Sequence, residues 1–121
     1  MPILPNILLR RIYRKGSLRN EDHGVAFELK NIIGPGIITQ INLAKINNEV
    51  FKPENISLVS NDGVIIANQI TTECPLLCKF NQIYTIKLLG PKCIQEGYNT
   101  LYIEIISREA GLIQVNFDDK H

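Results

Sequence analysis

Apolar residues recur at every second position in five separate stretches of the chain, and this spacing constrains the fold more than anything else in the sequence. Val25, Phe27 and Leu29 alternate with Ala26, Glu28 and Lys30. Ile37, Thr39, Ile41 and Leu43 share one face, with Gln40 and Asn42 opposite. Tyr84, Ile86 and Leu88 alternate with Thr85 and Lys87; Leu101, Ile103 and Ile105 with Tyr102, Glu104 and Ile106; Ile113, Val115 and Phe117 with Gln114 and Asn116. Successive side chains of a strand point to opposite faces, so each stretch reads as a strand with one buried side. Turn-forming clusters separate the stretches: Glu21-Asp22-His23-Gly24, Gly34-Pro35-Gly36, Asn47-Asn48-Glu49, Asn61-Asp62-Gly63 and Arg108-Glu109-Ala110-Gly111. Isoleucine occurs 20 times and alanine 4, a usage that fits pleated sheets better than helices. Only one short helical turn is expected, capped by Asn6, with Leu4, Leu8 and Ile12 stacked on one side.

With 121 residues there is room for a single domain, taken as 1–121. Seven to nine short strands with frequent turns predict an all-β, antiparallel β-sandwich. Ile94-Gln95-Glu96-Gly97-Tyr98 resembles the corner before the penultimate strand of immunoglobulin- and fibronectin-like sandwiches. In that corner Gly97 turns the chain and the Tyr98 hydroxyl bonds back to the backbone. Gly24 is expected to serve the first hairpin by adopting positive φ.

Residues 1–20 carry Arg10, Arg11, Arg14, Lys15 and Arg19 without an acid, whereas the remainder holds eight basic and twelve acidic side chains. Such a basic end could bind an anionic partner, yet the aromatic interleaving of base-stacking surfaces is missing, with no Trp and only four Tyr and four Phe. A solvated strand edge is expected there, and nucleic acid is not the expected partner. No run reaches the roughly 18 apolar residues of a membrane span, and charges follow the first apolar stretch, the reverse of a secretory signal. The expectation is a cytoplasmic domain that does not engage membranes.

The sequence offers little chemistry. Cys74, Cys78 and Cys93 are an odd set whose spacing fits neither a zinc knuckle nor a redox pair, so no metal site is expected. Glu21-Asp22 and Asp118-Asp119 are expected to face water. His23, beside Asp22 on a hairpin tip, is the one histidine that could carry catalysis or reach into a partner's site. Neither a phosphate loop nor a nucleophile elbow is present.

Leu9-Arg10-Arg11-Ile12-Tyr13-Arg14-Lys15-Gly16-Ser17-Leu18-Arg19-Asn20, followed by Gly24-Val25-Ala26-Phe27-Glu28-Leu29-Lys30-Asn31, resembles the small β-subunit-like family of C-glycoside deglycosidases. Gly36-Ile37-Ile38-Thr39 through Asn47, Glu96-Gly97-Tyr98 through Ile105, Gly111-Leu112-Ile113 and Phe117-Asp118 extend the likeness, while residues 60–81 depart from it. The resemblance implies a non-catalytic accessory subunit without a cofactor of its own, beside a larger sugar-modifying partner that holds a divalent metal. The alternatives are a stand-alone carbohydrate-binding or homo-oligomeric module, and a small enzyme using His23. The accessory reading requires an exposed apolar patch, expected in the 1–9 arm or on a sheet face beside the basic residues 10–19.

Overall fold

A computed structural model describes residues 6–121, with the side chains of residues 8–121. The caps and contacts expected of Leu4 and the Asn6 side chain, and most of the 1–9 arm, lie outside the described residues. The expected helical turn is present as α1, Asn6–Arg10.

Two five-stranded antiparallel sheets form the domain. The first has the order β1 (Arg19–Glu21), β2 (Gly24–Lys30), β8 (Ile83–Leu89), β5 (Ile56–Ser60), β6 (Gly63–Ile66). The second runs β10 (Gly111–Lys120), β9 (Tyr98–Ser107), β3 (Gly36–Ile46), β4 (Glu49–Phe51). Strand β7 (Leu76–Cys78) pairs with Gly36–Ile38 on β3, farther along from where β4 pairs with Ala44–Ile46. The all-β antiparallel sandwich is therefore present, with ten strands rather than seven to nine. The surplus comes from three-residue pieces such as β1, β4 and β7, too short to show a period. All four hairpin tips read from turn chemistry are found, at 22–23, 47–48, 61–62 and 108–110.

Alternation places the core. Val25 and Phe27 on β2, Ile86 and Leu88 on β8, Leu101 and Ile103 on β9, and Val115 and Phe117 on β10 are buried between the sheets. Strand β3 is the exception. Its register against β9 shifts between Ile38 and Gln40 and again between Ile41 and Leu43. Each irregularity adds a residue and changes the face that follows. Ile41, Ala44 and Ile46 are thus buried and Ile38 packs against them, in place of the expected Ile37, Thr39, Ile41 and Leu43.

Residues 10–18 do not form the basic strand that the charges suggested. After α1 they cross the open side of the sandwich from β2 to β10. Arg14 N donates to Glu28 O at 3.0 Å and Lys30 N to Ile12 O at 2.7 Å, which ties this strap to β2. Its other attachment is Tyr13, whose ring stacks on Phe117 with centroids 5.2 Å apart. The Tyr13 hydroxyl donates to the Asp119 carboxylate, which also accepts Gly16 N at 2.9 Å. Asp119, expected in water, is buried and locks the strap, while its neighbour Asp118 stays exposed. A period-two reading of β10 already places Asp119 on the Val115 and Phe117 face, so this signal was available.

The corner before β9 is also built differently. Tyr98 is 71% exposed and does not return its hydroxyl to the backbone. Asn99, 1% exposed, makes the corner instead. Its Oδ1 accepts Gln95 N at 2.8 Å and Asn47 Nδ2 at 2.8 Å, and its Nδ2 donates to Gln95 O at 2.9 Å and Gly97 O at 3.3 Å. Gly97, at φ 92°, makes the turn as expected and pairs its backbone with His121.

Candidate functional site

The five cations of the N-terminal segment do not converge. Arg14 pairs with Glu28 at 3.1 Å, Arg19 with Glu28 at 3.3 Å and with Glu21 at 3.3 Å, and Lys87 with Glu21 at 3.5 Å. This chain of alternating charge covers the outer face of β1, β2 and β8. Arg10, Arg11 and Lys15 remain exposed. The structure thus pairs two of the five cations with carboxylates. Exposed pairs are worth about 0–1 kcal/mol each. Glu28→Gln is therefore expected to lower stability by less than about 1 kcal/mol, with the loss shrinking in high salt, as urea titrations at two ionic strengths will show.

His23 is exposed on its hairpin tip, in an open depression bordered by Glu21, Asp22, Ser57 and Lys87. Its backbone oxygen accepts Gly90 N at 2.9 Å, and among the described residues its imidazole makes no hydrogen bond that would orient it for proton transfer. Gly24 beside it takes positive φ (157°), as expected of the hairpin, and is required for a second reason: a Cβ there would lie 1.8 Å from the Leu88 carbonyl oxygen.

Among the described residues, no three of His, Cys, Asp and Glu gather as a metal site. The three cysteines are free thiols; Cys74 is exposed, and Cys78 and Cys93 are half-buried. On the outer face of the second sheet, Tyr98 is exposed, while Tyr102 has its partners within the protein. Its hydroxyl donates to Glu104 at 2.6 Å, and Lys45 Nζ lies 5.4 Å from its ring centre.

A second concave feature of the described residues lies elsewhere, between the sheets. A cavity of about 230 Å³ runs inward from the end where the 31–36 loop meets β7 and the β9–β10 turn. Both sheets wall it, with Ile38, Ile41, Ile103 and Ile105 on one side and Leu58 and Ile86 on the other. The register irregularities of β3 create this arrangement, because they bring Ile38 and Ile41, three positions apart, to the same interior. At the rim, Asn31 pins the loop. Its Nδ2 donates to Gly34 O at 2.8 Å and Lys79 O at 3.1 Å, and its Oδ1 accepts Ile33 N at 3.2 Å and Gly34 N at 3.3 Å. Sequence reasoning missed this site, because aliphatic residues at strand period look the same whether they fill a core or line a hollow.

Tyr84 and Cys78 sit at the same end of the cavity. Burial pushes the Cys78 thiol upward, which leaves it a poor nucleophile at neutral pH. Burial, and then the neighbouring Cys78, push the Tyr84 phenol far above its ordinary range. Tyr13 is raised likewise by burial and by its bond to Asp119. Both phenols keep their protons in the folded state beyond the pH, about 10, at which an unfolded tyrosine loses its own. The unfolded chain then binds fewer protons than the native one, so stability falls as pH rises above about 10. Thermal melts between pH 8 and 11.5 should show Tm level at first and then dropping. The drop should be smaller in Tyr84→Phe, which has one fewer raised phenol.

The described fold and site define an all-β sandwich domain with an apolar chamber between its sheets. No helix among the described residues is long and apolar enough to cross a membrane. The model of the family described as hydroxymethylglutaryl-CoA reductase, N-terminal domain, matches residues 8–120, which take in both sheets and the strap. The chain belongs to that family. No curated protein matches it. The family match overturns the resemblance to C-glycoside deglycosidase β subunits, and with it the sugar-modifying partner and the carbohydrate role. The runs that carried the resemblance serve general needs of a sandwich. Gly16 turns the strap at φ 82°, Leu18 is buried, and 24–30 is the core strand β2. Such residues fit many β-proteins.

Proposed function

We propose that this chain is a non-catalytic interaction domain working beside a catalytic unit, and that the unit is a hydroxymethylglutaryl-CoA reductase. The observation carrying this reading is the family match over residues 8–120. By its description that family is the N-terminal domain of a reductase, one part of a larger whole, and the match spans the entire described sandwich. The groups that react would belong to the partner.

Exposed apolar residues support this reading. Lys79 Nζ and Gln82 Nε2 bind the Asp62 carboxylate at 3.1 and 3.2 Å, which brings the 79–82 loop to the β5–β6 turn. Val64, 69% exposed, and Phe80, 53% exposed, therefore lie at one end of the first sheet with Ile83. This apolar surface is at the β6 edge, opposite the edge that carries Arg14 and Arg19. A stable docking face needs about 800 Å² per partner. That is about a tenth of this domain's surface of 7142 Å².

Co-expression of the tagged chain with a reductase of its own organism, followed by size-exclusion chromatography with light scattering, tests the reading. A stoichiometric complex that Val64→Glu weakens at unchanged Tm is the expected result. A chain that elutes alone, or only as a homo-oligomer, from such mixtures overturns it.

A further inference from the structure

We propose that the cavity between the sheets is a binding site for one aliphatic chain of about nine carbons, which enters past the rim formed by Asn31, Ile33 and Glu109. Protein interiors pack to crystal-like density, with few voids larger than a water molecule. A 230 Å³ hollow in a domain of this size departs from that rule. An apolar cavity of about 150 Å³ stays dry and takes up benzene, so by proportion this one holds about nine carbon-sized groups.

The walls select the chemistry. They are aliphatic apart from Tyr84 and Cys78, and most polar groups near the opening have partners within the protein. The Tyr84 hydroxyl donates to Gln82 Oε1 at 2.8 Å, Ser107 Oγ accepts Ala110 N at 2.7 Å, and Glu109 Oε1 accepts Ile37 N at 3.0 Å. Burial of apolar surface therefore holds the ligand, and its polar end stays at the mouth, which Lys30 also borders. The four hydrogen bonds of the Asn31 side chain fix the rim before anything binds, so little ordering is required on entry. The shared chemistry of a linear acyl tail and a branched prenyl tail meets these demands.

The test uses 1-alkanols of six to twelve carbons and branched 3,7-dimethyloctan-1-ol, titrated into the full chain labelled at isoleucine methyls. Affinity is expected to rise about fourfold per methylene. The rise should level off near nine carbons, where further groups project into water. Shifts should concentrate on Ile38, Ile41 and Ile105, while Ile46 and Ile56, buried away from the cavity, stay still. Tighter binding of the linear alcohol supports an acyl tail in the site, and tighter binding of the branched one a prenyl tail. Ile105→Phe, which puts a larger side chain into the hollow, should move the levelling-off to a shorter alcohol. Affinity that climbs unchecked to twelve carbons, shifts spread over all isoleucines, or no binding at any length overturns the proposal. The wild-type titration decides it even if Ile105→Phe fails to fold.

Discussion

Gly24→Ala is expected to destabilise the domain by about 4 kcal/mol or more, among the largest effects a single methyl group can have. The added Cβ would stand 1.8 Å from the Leu88 carbonyl oxygen and 2.9 Å from its carbon. Both are backbone atoms of β8, paired through Gly24↔Leu89 and Val25↔Leu88, so no side chain can swing aside. Relief requires β2 and β8 to part at the Gly24–Leu89 end of their ladder, with loss of ladder bonds and of packing around Val25 and Leu88. Small domains have about 5–15 kcal/mol in total, so the variant should melt well over about 10 °C lower or fail to accumulate. Gly16→Ala is the control. It has the same change of residue at φ 82° but open space around the added methyl, and should cost only about 1–2 kcal/mol. Equal losses in the two variants by chemical denaturation would refute the close-approach explanation.

Asn99→Ala should cost about 2–4 kcal/mol, while Tyr98→Phe should stay within about 0.5 kcal/mol. Removing the Asn99 amide strands Gln95 N and Gln95 O and takes one of the three hydrogen bonds of the Asn47 side chain, which hold the β3–β4 turn to the entry of β9. Tyr98 has little to lose, being mostly exposed. Asn99→Asp adds a pH signature. A carboxylate there would face two carbonyl oxygens that now accept from the amide, so its proton is held more tightly in the folded state. Such a raised group gives stability below about pH 4 that is lost as pH rises. Urea midpoints of the three variants at pH 4 and 7 check the whole pattern. A Tyr98→Phe loss above 1 kcal/mol would restore the tyrosine to the corner.

The two variants mark where reading the chain succeeded and failed. Gly24 and Gly97 both take positive φ, as local turn chemistry demands, and Gly24 is held to glycine as well by a close approach across the sheet. Asn99 was passed over for its neighbour because a polar residue flanked by turn signals looks solvent-exposed. Its burial depends on Asn47 and Gln95 arriving from elsewhere. Arg14 and Arg19 looked like part of a basic patch, since charge counted along the chain cannot see Glu28 across the hairpin.

Alternation, turn residues and a β-branched composition by themselves determined that this chain makes an antiparallel sandwich, and placed most inward-facing positions, because these are local properties of the backbone. Only the tertiary structure decided how the sheets are ordered, that β3 carries two irregularities, that Asp119 fastens the strap, and that aliphatic residues leave a chamber between the layers. Those outcomes depend on which distant groups meet and on how completely side-chain volumes fill the space between two sheets, and neither quantity is written in the period of a strand.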